Sequence, residues 1–246
     1  MASQEEGRAG ALVIVPTYNE IESIEEAIRR LFDAAGDDVD LLVIDDGSPD
    51  GTGPLVEGLA HERPGIHLLR RSGKLGLGTA YLTGFRWAIE RGYTAVVEMD
   101  ADLSHDPADV PRLLEALSEA DLSIGSRYVP GGATRNWGPG RRALSQLGNL
   151  YARLWLRFGV RDSTSGFRAY RTAVLAGLDL GSVTSEGYAF QIEMTHRVRV
   201  AGGEIREVPI VFVERETGAS KMSRRIVLEA LLKVPRWGLG ARRTRA

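Results

Sequence analysis

The chain has 246 residues, 43% of them hydrophobic and 26% charged, with a formal net charge of −2 and no cysteine. Such a composition fits a soluble globular protein of one domain or a domain and a half, and it excludes disulfides, thiolate metal sites and cysteine nucleophiles. The polar start MASQEEGRAG has no apolar stretch of signal-peptide type, and no apolar run approaches the ~20 residues of a spanning helix, so neither secretion nor a membrane crossing is expected.

Ala11 to Val15 (ALVIV) reads as a buried strand bounded by Pro16. Ile21, Ile24, Ile28, Leu31 and Phe32 then recur at helical spacing, with Asn19 as the expected N-cap and Glu22 three residues on. Leu41 to Ile44 and Gly65 to Leu69 supply the next two strands. A helix from about Gly78 to Arg91 leads into a fourth strand, TAVVEM, and Asp106 caps a further helix with Pro107 in its first position. LSIGSRY, Leu122 to Tyr128, reads as the fifth strand. This alternation predicts an α/β domain built on a mostly parallel sheet, with ligands beyond the carboxyl ends of its strands. Asn19, Asp45, Asp46, Asp100 and Asp102 all fall at those ends. Two amphipathic segments, Gly140 to Phe158 and Arg224 to Leu239, then bracket a mixed region, and Pro235 is expected to end or kink the second.

Asp100 and Asp102 stand at i and i+2 where a strand ends, so extended geometry points both to one face. Two carboxylates there either sit in a solvated loop or hold a cation between them. Placement after a buried strand favours a hard divalent cation, whose shell is completed by water and the phosphates of a nucleotide diphosphate. VIDDGSPDGTG, Val43 to Gly53, repeats the construction with ordinary turn residues and becomes a candidate for ribose and base recognition only beside the first cluster. RSGKLGLGTA, Arg71 to Ala80, matches neither the dinucleotide fingerprint nor the P-loop spacing. Its glycines suit a tight turn into a helix, with Lys74 facing the pyrophosphate.

IVPTYNE, VIDDGSPDGT, GKLGLGTAYLTGF, MDADLSHDP, IGSRY and SGFRAYR, in this order, resemble an inverting family 2 glycosyltransferase of the GT-A fold. They are most similar to the dolichyl- or polyprenyl-phosphate mannosyltransferases, over roughly Ala11 to Met222. The resemblance implies a flexible tail at 1–10, a GT-A domain at 11–223 and a basic amphipathic membrane-interface segment at 224–246. It also implies mannose transfer from GDP-mannose to a polyprenyl (dolichyl) phosphate, with Mg²⁺ or Mn²⁺ as cofactor. Carried over by position, Pro16, Tyr18, Glu20, Val43 and Asp45 belong to the donor site, and Asp100, Ala101 and Asp102 to the metal and donor diphosphate. Where the family commonly has Gln, two residues after the second acid, Ser104 stands, and its shorter hydroxyl can reach a metal through water. Arg215 and Lys221, in ERETGASKM, take donor-phosphate roles. Arg127 faces the phosphates where donor and acceptor meet, and Arg141, Arg142 and Ser145 match the region that grips the lipid phosphate, with the choice between the two arginines open.

A phosphate acceptor is already an anion and needs no base, so His105 is read as structural or as a supporting group beside the metal motif. The expected reaction is one in-line displacement with inversion, from an α-linked donor to a β-linked product, resting on positioning and electrostatics. Leu144, Leu147, Tyr151, Leu154, Trp155 and Phe158 repeat at helical spacing among arginines, and the last 23 residues carry seven basic side chains against one acid, Glu229. Such stripes suit either a membrane interface or the protein's own core. The expectation is a peripheral enzyme on the cytoplasmic face of a membrane, with a separate membrane-embedded partner subunit and no nucleic acid as ligand. The rival readings are a glucosyltransferase using UDP-glucose and a nucleotide-sugar-binding module without turnover. A processive polysaccharide synthase fits less well, because Lys233 stands where its Q-x-x-R-W motif needs Gln.

Overall fold

The structure, a computed structural model, describes residues 10–214 and 224–243. Its core is a seven-stranded sheet in the order β3-β2-β1-β4-β7-β5-β8. The strands are β1 (Ala11–Thr17), β2 (Val39–Asp45), β3 (Ile66–Arg70), β4 (Ala95–Glu98), β5 (Leu122–Ser126), β7 (Arg168–Arg171) and β8 (Ile205–Pro209); β6 (Ala133–Arg135) and β9 (Val211–Val213) pair as a small parallel ribbon. All neighbours in the large sheet run parallel except β7, which is antiparallel to both β4 and β5. The first five expected strands are present, and the predominantly parallel sheet with them.

Alternation along the strands builds two cores, one on each face. Leu12, Ile14, Leu42, Ile44 and Val96 pack on one face with Tyr81 and Phe85 of α3 (Leu77–Glu90) and Phe190 and Met194 of α7 (Gly187–Val200). Val13, Val15, Leu41, Val43 and Val97 pack on the other with Ile24, Ile28 and Leu31 of α1 (Ile24–Ala35) and Leu113 of α4 (Val110–Ala116). Burying each such side chain stabilises the fold by about 2 kcal/mol. Helices α2 (Thr52–Glu62) and α6 (Thr172–Ala176) complete the layers.

Two local expectations are corrected and a third is narrowed. Asn19 does not cap the first helix: its φ of 60° is left-handed, and the helix begins at Ile24 after Ser23. The reason is competition, because the N–H groups of Asn19, Glu20 and Ile21 donate to Ser48, Thr52 and Asp50 of the loop after β2 and the start of the helix that follows it. Phe158 lies outside α5 (Pro139–Leu156) and is buried in the core, since Arg157 turns the chain out of the helix at φ 53°. Pro235 does not end α8 (Arg224–Arg243). A proline inside a helix lacks the N–H that would serve the carbonyl four residues earlier, and here the Tyr151 hydroxyl of α5 donates to that carbonyl, Leu231 O, at 3.0 Å. Helix α8 packs against α7 and α5 with Val234 fully buried, so this part of the tail is docked on the domain. Among the described residues no helix is long and apolar enough to cross a membrane.

Candidate active site

The chain leaves β1 toward β2 on one side and returns to β4 on the other, so the crevice outside the carboxyl ends of β1 and β4 is where ligands bind in open α/β sheets. A cleft of about 1060 Å³ opens there. Pro16, Tyr18 and Glu20 line it from the β1 end, and Asp100, Ala101, Asp102 and Ser104 from the β4 end. Arg127, Trp137 and Arg141 line the same cleft.

Asp102 accepts hydrogen bonds from the Ser104 N–H, at 3.0 Å, and from the Ser104 hydroxyl. Ser104, expected at the metal, is thus buried and engaged in orienting Asp102. The Asp100 carboxylate lies 3.8 Å from His105 Nδ1, which faces the Asp100 N–H at 3.5 Å. His105 is buried, stacked on Phe167 at 4.9 Å and edge-on to Phe212. Burial lowers its pKa against the pull of Asp100 and Asp102, so the ring is neutral near pH 7 and suits a supporting role. Among the described residues no three His, Cys, Asp or Glu side chains converge as a metal cage. Two carboxylates on one cleft wall nonetheless match the chemistry of a magnesium-type ion, which takes one or two from the protein and the rest from water and phosphate.

The second cluster is used differently. Asp45 is buried and accepts from Thr17 Oγ1 at 3.2 Å and from Ser48 Oγ and N at 2.5 and 3.2 Å, so it holds the turn. Val43 is fully buried in the core and, like Asp45, is not part of the cleft lining. Asp46, which does line the cleft, pairs with Arg71 at 2.5 Å and receives the Leu75 N–H at 3.3 Å. These bonds fix the glycine-rich loop and bring the Lys74 ammonium 4.6 Å from the centroid of the Tyr18 ring.

Sequence reasoning missed Glu186. Its carboxylate accepts the Gly78 N–H at 2.9 Å across 108 positions and so fills the anion-binding start of α3. A Cβ on Gly76, whose φ is 103°, would lie 2.7 Å from that carboxylate, and one on Gly78 2.6 Å from Ser185 O. The glycines therefore permit this close approach. Burial raises the Glu186 pKa, opposed by the Gly78 hydrogen bond. Lys233 of α8 clamps the same loop through Thr184 and Ser185 at 3.2 and 3.1 Å and pairs with Glu229 at 2.7 Å.

Arg127 is 6% exposed and ion-paired to the fully buried Asp162. Burial opposes its charge, but the carboxylate prevails and the guanidinium pKa rises. Arg141 ion-pairs with Glu214, and its guanidinium carbon lies 4.5 Å from the Trp137 ring centroid. Arg142 turns away from the cleft to Thr134, and Ser145 accepts from the Tyr128 hydroxyl at 2.8 Å. Arg215 and Lys221 lie outside the described residues.

A doubly flanked, mostly parallel sheet with paired acids at its switch point defines a nucleotide-sugar transferase of the GT-A class. The profile of "Glycosyl transferase family 2" matches residues 12–178, and the chain belongs to that family. It is 54% identical over 231 residues to "Undecaprenyl-phosphate mannosyltransferase" of Micrococcus luteus, covering 94% of this chain and 95% of the relative. It is 51% identical over 237 residues to "Polyprenol monophosphomannose synthase" of Mycolicibacterium smegmatis, covering 96% and 89%. The fold also matches glucosyl-3-phosphoglycerate synthase from Mycobacterium tuberculosis in complex with Mn²⁺, UDP and glucosyl-3-phosphoglycerate, with a TM-score of 0.63 at 22% identity, covering 96% of this chain and 80% of that one.

Proposed function

We propose that the chain transfers mannose from GDP-mannose to a polyprenyl phosphate, inverting α to β. The observation that carries this reading is that one cleft is lined both by Asp100 and Asp102 and by the guanidinium groups of Arg127 and Arg141. A phosphate acceptor needs positive charge and no general base, and this cleft offers two guanidinium groups, while His105 is buried with Nδ1 turned to the Asp100 N–H. The identity to polyprenyl-phosphate mannosyltransferases over nearly the whole chain supports the same substrates.

Asp100 and Asp102 would hold the divalent cation, which when bound offsets charge on the departing diphosphate. Pro16, Tyr18, Glu20 and Lys74 line the donor side, while Arg127 and Arg141 take the acceptor phosphate and aim its oxygen at the anomeric carbon. Arg141 fits this role better than Arg142, which is spent on Thr134. Arg215 and Lys221 keep their proposed place on the donor phosphates.

The acceptor is a lipid, and the exposed leucines fit a membrane surface. Leu147 and Leu154 of α5 are 62% and 67% exposed, Trp155 lies beside them, and Leu231, Leu232 and Leu239 of α8 are exposed as well. With Arg142 and Arg157 exposed nearby, the pair suits peripheral docking on an anionic cytoplasmic leaflet.

The test is transfer by the purified chain with labelled GDP-mannose or UDP-glucose and polyprenyl phosphate in anionic vesicles. Mannosyl transfer giving a β-linked lipid product is expected. An α-linked product would sink the displacement, and transfer from UDP-glucose alone would sink the donor assignment. A requirement for added membrane extract would point to a separate membrane-embedded partner.

A further inference from the structure

The two cleft arginines are held in opposite ways. Arg141 meets Glu214 at the rim, where the two side chains are 25% and 30% exposed. Arg127 is locked from behind. Its Nε and Nη2 donate to the two oxygens of Asp162 at 2.7 and 2.6 Å, its backbone N–H donates to the same carboxylate at 2.9 Å, and Nη2 also reaches Thr164 Oγ1 at 2.9 Å. Its guanidinium carbon lies 5.2 Å from the Trp137 ring centroid and 5.6 Å from that of Phe212. Nη1 has no hydrogen-bond partner among the described residues.

Asp162 is itself fixed. Its N–H donates to Glu207 at 2.9 Å. Asn149 of α5 donates to Asp162 Oδ1 at 3.4 Å and to Thr164 Oγ1 at 3.0 Å, and accepts from Ser163 Oγ and Thr164 N. Every group around the Asp162 carboxylate is a donor, so an amide in its place would turn N–H against N–H.

We propose that Asp162 is a positioning residue for the acceptor-phosphate site: it grips two edges of Arg127, with Thr164 and Asn149 as its supports, so that Nη1 meets the phosphate in a fixed orientation. This rests on the reading of Arg127 as a phosphate ligand. A guanidinium held in advance loses little freedom on binding, so its placement acts on acceptor affinity. Arg141, whose partner is exchangeable, supplies the adjustable contact.

The test is steady-state kinetics of Asp162→Asn, Arg127→Met and the double variant, varying polyprenyl phosphate and nucleotide sugar separately, with thermal melts of each. Asp162→Asn raises the acceptor KM about tenfold or more, as expected for misplacing a hydrogen bond to a charged group, and leaves the donor KM within about twofold. The double variant has the acceptor KM of Arg127→Met, because Asp162 acts only through that side chain. Its melting temperature exceeds that of Arg127→Met, where a buried carboxylate stands unpaired. If Asp162→Asn fails to fold, Thr164→Val takes its place and raises the acceptor KM with the donor KM unchanged. A folded Asp162→Asn, or Thr164→Val in its stead, with wild-type acceptor KM overturns the proposal, as does a further rise in the double variant. Arg127→Met with unchanged acceptor KM overturns the acceptor-site reading first, and the proposal with it.

Discussion

Strands β2 and β4 both run from fully buried apolar residues into adjacent carboxylates, and the protein uses the two ends differently. At β2, Asp45 is bound by Thr17 and Ser48, and Asp46 is matched by Arg71. At β4, Asp102 is steadied by Ser104 and Asp100 sits by His105, and both carboxylates line the cleft. The difference lies in the neighbours. Thr17 of β1, Ser48 of the loop after β2 and Arg71 just past β3 surround the β2 end, so Asp45 holds the turn and Asp46 anchors the glycine-rich loop at the cleft edge; the loop after β4 turns at Leu103, φ 60°, and leaves Asp100 and Asp102 on the cleft lining.

The largest expected effect breaks the β4 side. Asp102→Ala lowers metal-dependent transfer by about a thousandfold with an unchanged melting curve; full activity would remove the metal role. On the β2 side, Arg71→Met leaves Asp46 without its partner and costs about 3 kcal/mol by urea unfolding, a loss of stability preceding any loss of catalysis.

A third experiment sharpens the β4 side through pH. Glu98, just below the acids, is pushed up to about 7 by burial, against the pull of Arg168 and the Gln191 hydrogen bond. Its folded pKa exceeds the ordinary 4.5, so the folded state keeps a proton the unfolded state has lost. This contribution to stability is present below about pH 4.5 and is lost as pH rises through about 7. Glu98→Gln removes the slope, and its melting temperature relative to the wild type climbs between about pH 5 and about pH 8. The smallest effects form a matched pair. Ser104→Ala weakens the metal response about tenfold, whereas Ser48→Ala, deleting the equivalent hydroxyl at Asp45, costs about 1 kcal/mol and leaves the metal response alone.

Strands β1 and β2 were legible because Leu12 to Val15 and Leu41 to Ile44 are apolar on both faces, as a covered parallel sheet requires, and the next three carry shorter apolar runs of the same kind. Strand β7 was not, since RAYR looks polar, and only the folded chain shows Arg168 fully buried and bonded to the Gln191 carbonyl at 3.1 Å. The acidic cleft wall could be read because its residues are neighbours in sequence. The buried support of Arg127 could not, because Asp162 lies 35 positions away in a stretch, RDSTSG, that reads as a turn. Glu186 meets Gly78 over a still longer span, and nothing local in either segment announces the other.

The Tyr151 hydroxyl that rescues the carbonyl stranded by Pro235 also ties two helices into one plate. On the membrane surface proposed above, the leucines of α5 and those of α8 would then ride at one depth. Because α8 also contributes Leu232 and Lys233 to the cleft lining, the mouth of the site would keep a set height above that surface. On the proposed membrane surface the plate would act as a depth gauge, and Tyr151→Phe would loosen its calibration without touching a single group in the cleft.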